Sequence, residues 1–245
     1  AATTTTAVAA PTVAENNTTT AKQAPQQTQQ APQQQDSSTT GSPFRVLVVF
    51  YSLYGHNYEM AKSVAEGVRE VEGAQVDIMR IRETLPEDIL AKMGATEAQK
   101  ALAHIPVADP FDFAKYDAVI LGVPTRFGLP PAQVQSYLDA LGQIWAKNEA
   151  VGKVASVWTS TGTQHGGQES TVLAMFRPLF HLGMLVVGLP FIPELATVDS
   201  VQGGSFYGAG TIAGGDGSRM PSPTELTAAK YQGKHVATVT RKMKA

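Results

Sequence analysis

The chain has 245 residues, no cysteine and a formal net charge of −2 at pH 7. Without cysteine there is no disulfide, no thiolate nucleophile and no thiolate-bound metal, and a balance this close to neutral argues against nucleic acid as a partner. No apolar run approaches the length of a membrane span, and His56, His104, His165, His181 and His235 show no short metal-ligand spacing.

Residues 1–42 differ from the rest. They contain no Leu, Ile, Met, Phe, Tyr or Trp and only three charged side chains, Glu15, Lys22 and Asp36. Such a segment cannot bury enough apolar surface to offset the entropy of ordering it, so a disordered Ala/Thr/Gln/Pro tail is expected. Residues 43–245 then form one domain with a full core.

Val46, Leu47, Val48, Val49 and Phe50 form an unbroken apolar run, the pattern of a strand covered on both faces. Met60, Ala61, Val64, Ala65, Val68 and Val71 follow with the spacing of one helix face. Between them lies Ser52-Leu53-Tyr54-Gly55-His56-Asn57. A buried strand that turns into a helix aims unpaired N–H groups at one point, which the helix dipole makes slightly positive. The turn lacks the Gly-Lys-Ser/Thr of a Walker loop and the three glycines of a dinucleotide fingerprint. It suits a monophosphate held by neutral donors, or else is an ordinary helix-capping turn.

Ala74–Ile81 alternates enough for an edge strand, 84–104 suggests one or two short helices, and Pro106–Phe113 a loop. Tyr116–Val123 is a second buried strand, followed by Pro124-Thr125-Arg126-Phe127-Gly128. A helix is expected from Pro130-Pro131 to Trp145. Lys153–Ser160 is a third buried strand, running into Thr161-Gly162-Thr163-Gln164-His165-Gly166-Gly167. Glu169–His181 is helical with an interruption near Pro178, and Met184–Leu189 reads as a fourth buried strand. Pro190–Pro223 is irregular and rich in glycine, and an amphipathic helix over Thr224–Met243 closes the chain.

This alternation predicts an α/β fold, a doubly wound five-stranded parallel sheet with helices on both faces. Its ligand belongs at the carboxyl ends of the strands, where the loops at 52–57, 124–128 and 160–167 converge. Taken singly, Tyr54 also fits a turn cap, Arg126 a surface ion pair, His165 a solvated loop and Trp145 a core or interface residue.

Ser52-Leu53-Tyr54-Gly55-His56, Pro124–Gly128, Ser160–Thr163 with Gly166-Gly167-Gln168-Glu169, and Ala213-Gly214-Gly215-Asp216-Gly217-Ser218-Arg219 together resemble the WrbA-type NAD(P)H:quinone oxidoreductases, flavodoxin-like FMN proteins. The resemblance spans residues 44–243 and implies two-electron quinone reduction by ping-pong hydride transfer from NADH or NADPH, with a place in oxidative stress. By position, Ser52, Leu53, Tyr54, Gly55, His56 and Asn57 would hold the FMN phosphate. Pro124, Thr125, Arg126, Phe127 and Gly128 would line the flavin ring, and Ser160, Thr161, Gly162, Thr163, Gln164, His165 and Gly166 would close over the ribityl chain and flavin edge. His181 would contact the flavin, with Arg126 as the other candidate for stabilising its reduced form; Tyr54 would meet the nicotinamide and Trp145 the quinone. No residue is expected to act as a covalent nucleophile, and no metal is expected.

The resemblance further implies a homotetramer, a dimer of dimers, with the glycine-rich loop as intersubunit structure. It favours the cytoplasm, although the tail and the missing initiator Met also fit export to the periplasm or cell envelope. Three departures from the pattern stand out: His165 with an extra loop residue, Leu182 after His181, and Val123 before Pro124. The alternative reading is a flavodoxin-type electron carrier that docks to proteins and has no small-molecule turnover.

Overall fold

The structure, a computed structural model, describes residues 42–196 and 200–244. The expected tail lies, except for Ser42, outside the described residues.

The apolar run becomes β1 (Phe44–Phe50), in which only Arg45 is exposed. A strand's side chains alternate between faces even when all are apolar. Leu47, Val49 and Tyr51 therefore pack into one core layer, and Val46, Val48 and Phe50 into the other. Next come α1 (His56–Arg69), the edge strand β2 (Ala74–Arg80), and two short helices, α2 (Glu87–Lys92) and α3 (Thr96–Leu102). The loop expected before the second buried strand contains a 3-10 turn at Pro110–Lys115. That strand, β3 (Ala118–Pro124), is buried along its whole length.

The single helix expected up to Trp145 is two, α4 (Ala132–Asp139) and α5 (Gly142–Ala146). β4 (Val154–Thr161) and α6 (Gln168–His181) follow. Contrary to expectation, α6 runs through Pro178 without a break; a proline forfeits one helical donor, and here the packing of Met175 and Leu179 into the core carries the helix past it.

The sheet is parallel in the order β2-β1-β3-β4-β5, where β5 is Leu185–Val186. The five expected strands are present, and a sixth, β6 (Gly210–Ile212), pairs with the carboxyl half of β4. The reading of 184–189 as a fourth buried strand needs correction. Only Leu185 and Val186 pair with β4, and Leu185 is 42% exposed because this stretch forms the edge of the sheet. Within the irregular stretch there are also a 3-10 turn at Pro193–Ala196 and, at its end, the start of α7 (Pro223–Lys244).

Helices α1 and α7 cover one face of the sheet, with Met60, Val64, Val68, Ala229 and Val236 buried there. Helices α4, α5 and α6 cover the other through Val134, Leu138, Ile144, Val172, Met175 and Leu179. Each Val, Leu, Ile or Met buried in this way is worth about 1.5–3 kcal/mol over leaving it in water. The two layers fix where each strand ends, and so where the loops meet.

Candidate functional site

From β1 the chain crosses to β2 on one side and returns to β3 on the other. Neighbouring loops therefore diverge and leave a crevice at the carboxyl ends of β1 and β3. The register carries Phe50 beside Gly122 and Pro124 beside Ser160, so three strands end at about the same height. A cavity of about 300 Å³ opens there.

Its first wall is the turn before α1, which contributes Ser52, Leu53, Tyr54 and His56. Gly55 sits at φ +98°, a backbone that L residues rarely adopt. The Ser52 hydroxyl accepts the N–H groups of Gly55 (3.0 Å) and Asn57 (3.3 Å). Asn57 Nδ2 donates to the carbonyl of Tyr51 (3.0 Å), fastening the strand end to the helix start. His56 Nε2 and Asn57 Oδ1 are buried without a hydrogen-bond partner. Native proteins rarely leave such atoms unpaired, and both belong to this turn.

Burial pushes the His56 pKa down, partly opposed by the nearby backbone of Gly217 and Arg219 and by the Glu225 charge. The imidazole is therefore neutral at pH 7. In the protein without ligand, stability should fall as pH drops below about 6.5, because the unfolded chain takes up this proton first. Above that value His56 adds no pH dependence. A His56→Gln variant should show a flatter plot of Tm against pH between about 5 and 6.5 than the wild type.

Pro124, Thr125 and Arg126 form the second wall. Phe127 (φ 54°) and Gly128 (φ 79°) reverse the chain in a tight turn closed by Arg126 N–H on Leu129 O (2.7 Å). An aromatic residue with positive φ is uncommon, and Phe127 is fully exposed beside the cleft. Thr125 Oγ1 accepts from Gly128 N–H (3.0 Å) and from Thr171 Oγ1 (2.8 Å), which ties the turn to α6. Arg126 Nη1 donates to Thr125 O (2.8 Å).

Ser160, Thr161 and Gly162 make the third wall. Thr161 Oγ1 donates to Thr163 O (2.9 Å), and Gly166 N–H reaches the same carbonyl (3.1 Å). Gln164 and His165 turn away and line a separate polar hollow with Gln168 and Glu169.

The fourth wall is Ala213–Gly217, part of a motif that carries the resemblance but whose glycine-rich loop is expected as intersubunit structure and not as a side of the cleft. It hangs from Glu225, a fully buried carboxylate in the first turn of α7. Glu225 accepts from the N–H groups of Gly203 (2.8 Å), Ser222 (2.8 Å) and Ile212 (3.2 Å), from Thr211 Oγ1 (2.9 Å) and from Arg219 Nη1 (3.0 Å). A buried charge is tolerated only when paired and hydrogen-bonded to this degree. The run of glycines was the available signal; nothing local marked Glu225.

His181 and Trp145 do not line this cleft. They share a mostly apolar groove with Leu138, Leu141, Pro178 and Leu182, where Trp145 is 60% exposed. The cleft brings the turn after β1 and the Thr125 and Ser160 loops together within one chain, and leaves those two residues elsewhere.

The chain matches the family model described as NADPH-dependent FMN reductase over residues 44–193. It is 54% identical over 200 residues to the NAD(P)H dehydrogenase (quinone) of Syntrophobacter fumaroxidans, across 81% of this chain and 98% of that protein. The protein of the same name from Methanosarcina mazei is 53% identical over 204 residues, across 81% of this chain and 98% of its own length. Among solved structures, a flavodoxin described as WrbA-like from Agrobacterium tumefaciens superposes with a TM-score of 0.56 at 24% identity, covering 82% of this chain and 99% of that one. At that identity it speaks for the fold alone.

Proposed function

The chain belongs to the NADPH-dependent FMN reductase family, and from that membership we propose that it is an FMN-dependent NAD(P)H dehydrogenase that reduces quinones to hydroquinones. The observation that carries the reading is the turn before α1. A helix N-terminus, the Ser52 hydroxyl and a buried imidazole whose Nε2 has no hydrogen-bond partner meet at one crevice.

These residues fit FMN. A phosphate needs several N–H or O–H donors, and the neutral His56 imidazole with its one N–H, the Ser52 hydroxyl proton and the N–H groups of the turn can each supply one. Asn57 is fully buried and does not line the cleft; its side chain ties the turn to Tyr51 O. Among the described residues no lysine lines the cleft; Arg126 supplies a cation and Asp216 an anion. FMN, when bound, would supply the hydride chemistry that links NAD(P)H oxidation to two-electron quinone reduction.

The protein's part is position and electrostatics. Thr125 and the Ser160–Gly162 loop would flank the flavin, and Arg126 would favour negative charge on its ring. The Tyr54 ring, 42% exposed at the cleft, and the fully exposed Phe127 ring one residue beyond the lining residue Arg126 would offer flat apolar surface to two planar substrates that occupy one place in turn. The test is NAD(P)H oxidation by the FMN-loaded protein with benzoquinone and no other protein present. Turnover is expected. Flavin reduction only in the presence of a separate reductase would make the protein a carrier instead.

The same proposal includes assembly as a homotetramer. The mostly apolar groove of Trp145 and His181 supports it, since apolar surface left open to solvent favours association. His181 and Trp145 would then serve a flavin bound to another subunit. Light scattering should give about four times the chain mass of 26.0 kDa. Residence in the cytoplasm is part of the proposal, and cell fractionation would separate it from export.

A further inference from the structure

The segment between β2 and β3 carries α2 and α3 over the phosphate turn. Leu53 packs against Leu90 and Ala95, and the Tyr54 hydroxyl donates to Met93 O (3.1 Å). From α3, Gln99 Nε2 donates to two successive carbonyls of the turn, Ser52 O and Leu53 O, each at 2.9 Å.

In a trans peptide the C=O and the following N–H point in opposite directions. A side chain that holds the Ser52 and Leu53 carbonyls on its own side therefore turns the N–H groups of Leu53 and Tyr54 the other way. Leu53 and Tyr54 line the cleft. A primary amide has two protons for two acceptors, so the match is complete. A peptide that flipped would instead present an oxygen to the phosphate.

We propose that Gln99 is a positioning residue for the FMN phosphate, holding two peptides of the Ser52–Gly55 turn so that their N–H groups face the ligand. This deepens the functional reading above and rests on it. Gln99 touches neither flavin nor substrate. Its role differs from that of Ser52, which caps the turn from inside, because it acts from the opposite side through the two carbonyls.

The test compares FMN with riboflavin, which lacks the phosphate, on the full-length FMN-free protein. Gln99→Glu keeps the shape of the side chain but at neutral pH removes both donors and sets a carboxylate against two carbonyls. Hydrogen bonds to a charged ligand are strong, so FMN affinity should fall ~30–100-fold while riboflavin affinity changes less than ~3-fold. Gln99→Ala, which leaves the peptides free rather than repelled, should give a smaller loss of about 10-fold with the same selectivity. Should Gln99→Glu not fold, Gln99→Ala decides by the same ratio.

A parallel loss of both flavins, or no loss of either, would overturn the proposal and leave Gln99 as a packing residue. Absence of FMN binding by the wild-type protein would instead sink the functional reading itself, so the two failures are distinguishable.

Discussion

Replacing Ser52 by Ala should lower FMN affinity by about two orders of magnitude and barely alter riboflavin affinity. Two losses combine. The hydroxyl oxygen accepts the N–H groups of Gly55 and Asn57, and removing such a cap costs about 1 kcal/mol. Its proton is free to meet the phosphate, and a hydrogen bond to a charged group is worth roughly 1.5–3 kcal/mol. With tenfold in affinity for every 1.4 kcal/mol, the sum reaches about 100-fold. Titration monitored by quenching of flavin fluorescence gives both constants. If FMN affinity stayed within about threefold of wild type, the phosphate would not be held at this turn.

The largest effect on stability is expected where α1 crosses α7. A Cβ built on Gly67 would lie 1.8 Å from Lys230 O, and one on Gly233 would lie 2.0 Å from Val64 O. These neighbours are helix backbone, which has no rotamer to move aside. Overpacking against adaptable side chains costs about 1–3 kcal/mol, so Gly233→Ala should cost 3 kcal/mol or more. For a chain of this size that corresponds to a fall in Tm of roughly 6–12 °C. Gly67→Ala should act alike, and the double variant should show less than the sum, since one separation of the helices relieves both clashes. The Glu70 ion pairs with Lys230 and Lys234 bridge the same crossing at 2.8 and 3.0 Å. All three side chains are more than a third exposed, so Glu70→Ala should have a small effect by comparison. Thermal unfolding of the FMN-free variants checks the ranking.

Strand, turn and helix around Ser52–Asn57 were legible because their signals are local. A covered strand is apolar along its length, a helix face repeats at 3.6 residues, and a glycine marks a positive φ. Since a doubly wound sheet places its ligand at one end, the three polar loops could be assigned to one crevice before any contact was known.

Pairing between distant residues could not be read in this way. Gln99 lies 47 residues from Ser52, and nothing in a short amphipathic helix tells which of its amides faces a carbonyl. Glu225 looks like any acidic residue of a first helical turn, yet its oxygens gather donors from Gly203, Thr211, Ile212, Arg219 and Ser222. The apolar run at 184–189 reads as interior although it forms an edge, because apolarity reports burial and not which element supplies it.

By itself, then, the sequence determined the alternation of elements, the depth of the central strands and the chemistry offered by each loop. These follow from side-chain type and period within some 20 residues of chain. Only the tertiary structure decided that Ala213–Gly217 closes the cleft, that Gln99 grips the Ser52–Leu53 turn, and that His181 and Trp145 stand together on another face. Those outcomes depend on how the layers pack, and a donor or a cavity wall acquires its partner only when the layers come together.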